Sequence, residues 1–141
     1  MHAIAAYPLT VYFDATCALC TAEMNAMKAR DAAARLNLVD CSSAGFDAGP
    51  APREALMTAI HAVDAAGQLF VGVPAIRACR DAVGLSSGSF LLDLPLLAPL
   101  ADRAYAVLAR NRYRLPRWLV ALLAGKAARS SRTCAGGNCR I

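Results

Sequence analysis

The spacing of apolar and polar positions changes repeatedly along the 141 residues, and each change marks an element. LTVYF, Leu9 to Phe13, is short, rich in β-branched and aromatic residues, and bounded by Pro8 and Asp14. Such a run predicts a buried strand. From Cys17 to about Arg30 the chain holds strong helix formers and neither Gly nor Pro, with Leu19, Met24 and Met27 on a shared face with Cys20. RLNLVD, Arg35 to Asp40, alternates as a second strand, and the CSSAGFDAGPAP that follows reads as a loop. Strand, helix and strand in this order predict a right-handed parallel crossover. PREAL opens a helical turn with Pro52 at its start. Ala59 to Val63 and Gln68 to Val71 then predict two strands joined by the turn Asp64 to Gly67, a hairpin. Pro74 begins a further helix, PAIRACRDAVG, closed by Gly84.

LSSGSFLLDLP reads as a linker. After it, PLLAPLADRAYAVLARN and PRWLVALLAGKAAR predict two helices interrupted at Pro116. The order β-α-β, then β-β-α, around a small mixed four-stranded sheet is the thioredoxin-like arrangement, with helices added at the C-terminus. A chain of this length can bury its own core. The expectation is therefore one α/β domain over residues 1–141, with 95–129 as a helical extension and 130–141, SSRTCAGGNCRI, as a polar, flexible tail.

Composition narrows the setting. Hydrophobic residues make up 57% and mean hydropathy is +0.40, much of it from alanine. No stretch reaches the roughly 18 uninterrupted apolar residues that span a bilayer. MHAIAAYPLT has no basic leading region and only a short apolar piece, so it does not read as a secretory signal. The expectation is a cytoplasmic protein, where six cysteines serve as thiols, a redox pair or metal ligands before they form a disulfide framework. The net charge of +5 is unevenly spread. Residues 1–102 hold 6 basic and 10 acidic side chains, whereas 103–141 hold 9 basic ones and no acid. This reads as a solvated basic face or as a surface for an acidic partner.

The chemistry centres on Cys17 and Cys20 in YFDATCALCTAEM. A pair at this spacing can supply half a zinc site, a structural bridge or an electron-exchanging dithiol. The loop DAT leaves the C-terminal end of the first strand, which puts Cys17 at the N-terminus of the following helix. Unpaired amide groups and the helix dipole favour a thiolate there, so Cys17 is expected to be the more acidic and the more exposed thiol of the pair. Cys20 lies one turn on, about 5–6 Å away between Cα atoms, within disulfide range. Zinc needs four ligands, usually two such pairs. Cys134 and Cys139 are separated by four residues in the tail, and His2 and His61 have no local ligand spacing. The redox pair is the preferred reading.

YFDATCALCTAE resembles the signature of the DCC family of predicted thiol-disulfide oxidoreductases, an aromatic-Asp-Gly-x-Cys-x-x-Cys stretch followed by Glu. Asp14, Cys17, Cys20 and Glu23 match it, while Ala15 stands in place of the usual glycine and Ala18 in place of a frequent proline. The similarity continues through LNLVD and VDAAGQLFVGVPAI into AYAVLARNRYRL. The resemblance implies a thioredoxin-like fold and dithiol–disulfide exchange.

Other residues have two readings each. Asp14 is either a proton acceptor for Cys20 or a cap on the helix N-terminus. Glu23 is a tuning group or, preferably, a helix-packing one. Gly72-Val73-Pro74 invites comparison with the cis-proline loop of thioredoxins, yet by element order that loop falls near Met57 and Thr58, so Pro74 reads as a helix start. Cys41, Cys79 and His61 read as structural, and Cys134 and Cys139 as accidental tail residues or a second dithiol. Leu115, Trp118, Leu119 and Leu122 form a stripe flanked by Arg114, Arg117 and Lys126, which either packs onto the fold or lies in an anionic membrane interface.

The expected function is thiol–disulfide exchange with Cys17 attacking, Cys20 resolving and Asp14 accepting a proton, and with no bound cofactor. The partner is a disulfide-containing protein or a low-molecular-weight thiol, with no nucleic acid and with peripheral membrane contact through the basic segment as a further option. The alternatives are a non-catalytic membrane-surface or protein-binding module and a zinc-binding protein.

Overall fold

The computed structural model describes residues 4–85 and 94–124. The elements are β1 (Leu9–Phe13), α1 (Ala18–Lys28), β2 (Leu36–Asp40), α2 (Arg53–Thr58), β3 (His61–Val63), β4 (Leu69–Val71), α3 (Val73–Ala82), α4 (Ala98–Asn111) and α5 (Arg117–Ala124). The four strands form one sheet in the order β2-β1-β3-β4. β1 runs parallel to β2, with Leu9 opposite Leu36 and Phe13 opposite Asp40. β3 is antiparallel to β1 and to β4, so Ala62 sits between Val11 and Phe70. This mixed sheet with its helices is the thioredoxin-like arrangement that the element order predicts.

The sheet is mixed because of its connections. A parallel neighbour needs a crossover, which α1 supplies, whereas an antiparallel one needs only a turn. Asp64 builds that turn. Its carboxylate accepts hydrogen bonds from the N–H groups of Ala66, Gln68 and, across the sheet, Ala6. The core follows the strand alternation: Leu9, Val11, Leu36 and Ala62 are buried together with Met24 and Met27 of α1 and Cys79 of α3.

Some boundaries differ from the sequence reading. β3 begins at His61 because Ala59 ends α2, donating its N–H to the Ala55 carbonyl. His61 is buried with Nδ1 2.8 Å from the Ala59 carbonyl oxygen, a structural position. α3 carries Pro74 in its first turn, as expected. Two helices do flank Pro116, but α4 begins at Ala98. The linker positions 86–93, the helix expected to continue past 124, and the tail with Cys134 and Cys139 lie outside the described residues.

The C-terminal stripe packs differently from its sequence reading. α5 starts at Arg117, so Leu115 precedes it. Val120 is buried with Cys17, Leu19 and Ala22, and Leu108 and Leu115 pack against the same cluster. Trp118 and Leu122 are 68% and 71% exposed. At roughly 100° per residue, Val120 points about 200° away from each of them, so one short helix cannot bury both sides. It buries the small β-branched residue against alanine-rich α1 and leaves the tryptophan outside.

Candidate active site

The site lies where β1 ends and α1 begins. Asp14 terminates the strand and folds its own loop: its Oδ1 accepts from the Thr16 N–H at 2.9 Å and the Thr16 hydroxyl at 2.6 Å. The Cys17 N–H donates to the Asp14 carbonyl at 3.2 Å, closing the turn. Among the described residues, Ala34 alone has a positive φ without being glycine. Ala15 thus holds the place of a glycine without left-handed backbone, and the substitution carries no strain there.

Cys17, not Asp14, caps α1. Its Sγ accepts the Cys20 N–H at 3.3 Å, one of the amides that a helix start leaves without a helical partner. The Cys20 thiol donates to the same sulfur at 2.6 Å. Asp14 cannot be the cap because its Oδ1 is held by Thr16, before the helix begins.

The second surprise is a cation. Arg112, just past the end of α4, is 8% exposed and reaches Asp14, which is fully buried. One guanidinium nitrogen lies 3.2 Å from Asp14 Oδ2 and also donates to the Met57 carbonyl. The neighbouring Tyr113 hydroxyl donates to the same Oδ2. Met57 sits at the end of α2, just before β3, where the element order places the loop compared with the cis-proline segment. Its carbonyl is taken up by Arg112. Two α4 turns earlier, the Tyr105 hydroxyl accepts the Ile60 N–H at 3.0 Å, tying that helix to the head of β3.

These contacts set the charge states. The hydrogen bond from Cys20 brings Cys17 down to about 7 from 9.0; burial opposes it, and the Arg112 charge assists. Cys20 moves the other way, because it is the donor in that bond, is buried and sits beside the Cys17 charge. Burial would raise Asp14, but hydrogen bonds from Thr16 and Tyr113 and the Arg112 charge outweigh it and hold the carboxyl below its ordinary value. Glu23 is raised by burial, against the nearby Arg80. Cys79 is pushed up to about 12 by burial alone, and Cys41, raised by burial and by Asp40, donates its thiol to the Phe13 carbonyl.

Asp14, Cys17 and Cys20 therefore come together as the sequence expected, but access is reversed. Cys17 is fully buried beneath Val120 and Leu115, while Cys20 is half-buried. The Cys17 thiol is lowered in the direction the helix-terminus argument expects, chiefly by the Cys20 hydrogen bond. Its burial departs from the expectation, since nothing local to YFDATCALC announces the cover by Leu115 and Val120. Beside Cys20 opens a cavity of about 210 Å³ lined by Phe13, Met27, Tyr105 and Arg112, with Glu23 and Arg80 on its wall. Arg112, Tyr113 and Tyr105 received no role from the sequence. Their segment, AYAVLARNRYRL, carried part of the family resemblance, which was the available signal. Among the described residues no three His, Cys, Asp or Glu side chains converge as a metal site would require.

A thioredoxin-like sheet with a hydrogen-bonded dithiol at the start of the helix after β1 defines a thioredoxin-like dithiol protein. The family model for DCC1-like thiol-disulfide oxidoreductases matches residues 11–118, and the chain belongs to that family. The match spans the dithiol and the Arg112–Tyr113 pair alike. No curated protein and no solved structure matches the chain.

Proposed function

We propose that the protein exchanges a dithiol for a disulfide, with Cys17 as nucleophile and Cys20 as resolving thiol. The observation that carries this reading is the Cys20 Sγ–H donating to Cys17 Sγ at 2.6 Å at the start of α1. The bond stabilises one thiolate at the expense of the other ionisation.

The Cys17 thiolate attacks one sulfur of a substrate R–S–S–R′. The S–S bond breaks, a Cys17–S–S–R bond forms, and R′S⁻ leaves. With its charge gone, Cys17 no longer holds the Cys20 proton, which passes to the departing thiolate. Cys20 then attacks Cys17 Sγ, forms the Cys17–Cys20 disulfide and releases RS⁻. The substrate is reduced by two electrons and the protein dithiol is oxidised by two. The reverse sequence oxidises a substrate dithiol. Asp14 serves this chemistry as a positioning residue. Kept ionised and fully engaged, it is a weak base, and it holds Arg112 where the guanidinium favours the thiolate. The substrate class is a disulfide-containing protein or a low-molecular-weight disulfide.

Trapping tests the assignment. A Cys20→Ser chain incubated with a mixed pool of disulfide proteins should accumulate adducts on Cys17, released by reductant. Cys17→Ser should accumulate none. Adducts on Cys20 in the second variant, with none on Cys17 in the first, would reverse the roles. Adducts in neither would end the proposal.

A further inference from the structure

The C-terminal helices present an apolar face whose flanks are basic, and dithiol chemistry does not use it. On α4, Leu100, Ala104 and Val107 recur at helical spacing and line a groove that runs to Leu115. Leu100 and Val107 are each 60% exposed, and on α5 Trp118 and Leu122 are adjacent and exposed. A monomeric protein rarely leaves so many large apolar groups together in water. The charges around them are arranged, not merely abundant. At roughly 100° per residue, Arg103 and Arg110 fall on one edge of the α4 stripe. Asp102, the only acid of α4, falls about 160° from Leu100, beyond the arginine edge and facing away from the stripe. Arg114 follows between the helices and Arg117 opens α5, and no acid occurs from residue 103 onward. Arg112, the remaining arginine of this stretch, is turned inward to Asp14. Among the described residues Arg103 and Arg110 make no ion pair, so their charge is available to a partner.

We infer that this face docks on an anionic lipid surface. An apolar stripe edged by arginines and cleared of acids matches the boundary between acyl chains and acidic headgroups. Trp118 has the amphipathic ring that settles at headgroup depth. No helix among the described residues is long and apolar enough to cross a membrane, and the inferred docking is peripheral. An acidic protein offers charge but no acyl layer for Leu100, Val107 and Leu122 to enter. RNA offers phosphates and a stacking partner for Trp118 alone.

Trp118 is the only tryptophan and reports its own burial. The full chain is mixed with vesicles of phosphatidylcholine alone or with phosphatidylglycerol added, and Trp118 emission and sedimentation are followed. The expected result is a blue shift and sedimentation with the anionic vesicles only, both reversed by high salt. Arg103→Gln with Arg110→Gln weakens binding roughly 25-fold at low salt, about fivefold for each charge. Leu122→Ala weakens it roughly tenfold through lost apolar burial. The arginine pair is exposed and makes no ion pair among the described residues, so it keeps the test valid if Leu122→Ala fails to fold. Absence of a shift, or an equal shift with neutral vesicles, overturns the inference. A shift produced by single-stranded RNA that displaces the vesicles reassigns the face to nucleic acid, and a blue shift without vesicles that tracks dimer formation reassigns it to a second copy of the chain.

Discussion

Cys20 Sγ donates to Cys17 Sγ across 2.6 Å, so the two thiols cannot ionise independently. The first proton to leave belongs to Cys17, near pH 7 against an ordinary 9.0. Cys20→Ala removes the largest cause of that shift and should move the Cys17 titration upward, read from ultraviolet thiolate absorbance over pH. An unchanged midpoint would mean that the helix start and Arg112 hold the thiolate without Cys20.

The same shift has a stability consequence. A folded-state value below the unfolded one means that ionisation favours the reduced fold fully above pH 9 and that this contribution is lost as pH falls through 7. Urea unfolding of the reduced chain across that window, measured against Cys17→Ala, should show the difference shrinking toward acid. A difference that stays flat contradicts the depressed value.

Arg112 and Asp14 form a buried pair, and removing one member strands the other. Arg112→Met should cost about 3–5 kcal/mol in denaturant unfolding, since it leaves a carboxylate buried beside Thr16 and Tyr113 without its cation. Asp14→Asn in the same chain should recover part of the loss, giving a non-additive double-mutant cycle. The variant should also titrate Cys17 higher, an effect that a merely structural role would not produce. Additive losses with an unmoved Cys17 would detach Arg112 from the dithiol.

α5 covers the nucleophile, and reactivity should depend on that cover. Val120→Ala thins the layer over Cys17 and should speed its alkylation at neutral pH, while Cys79, buried on the core face of α3 and raised to about 12, should stay unreactive. Mass mapping after short exposure to limiting reagent separates the sites. Equal Cys17 rates in parent and variant would mean that reagent reaches the sulfur by another route, such as the cavity beside Cys20.

What the sequence made legible was local. The strands, the helix starts at Cys17 and Pro74, the Asp64–Gly67 turn and the dithiol each rest on residues within a few positions of one another. So did the acidity of Cys17, which depends on the first turn of its own helix. The cover and the cation were hidden for the opposite reason. Arg112 meets Asp14 across 98 positions, and apart from the family-like segment AYAVLARNRYRL that holds it, neither its spacing nor its charge distinguishes it from the other arginines of a basic segment. The stripe on α5 misled because Leu115, which precedes the helix, was counted into it, and because large apolar residues were expected to outrank a valine for burial. Close approach to the alanines of α1 favoured the valine.

Gly72 ties the hairpin to the helices, and its replacement separates two kinds of strain. Its φ of 68° and ψ of −129° lie in a region that side chains hardly enter. A Cβ there would also meet the Tyr105 ring at 3.3 Å. Gly72→Ala should cost about 1–3 kcal/mol from backbone conformation alone. Tyr105→Leu in that background frees the space but loses the hydroxyl that accepts the Ile60 N–H, so it should bring no recovery. Thermal unfolding of the single and double variants decides between the causes. Recovery in the double variant would show that the ring contact, rather than the backbone, makes glycine necessary at this position.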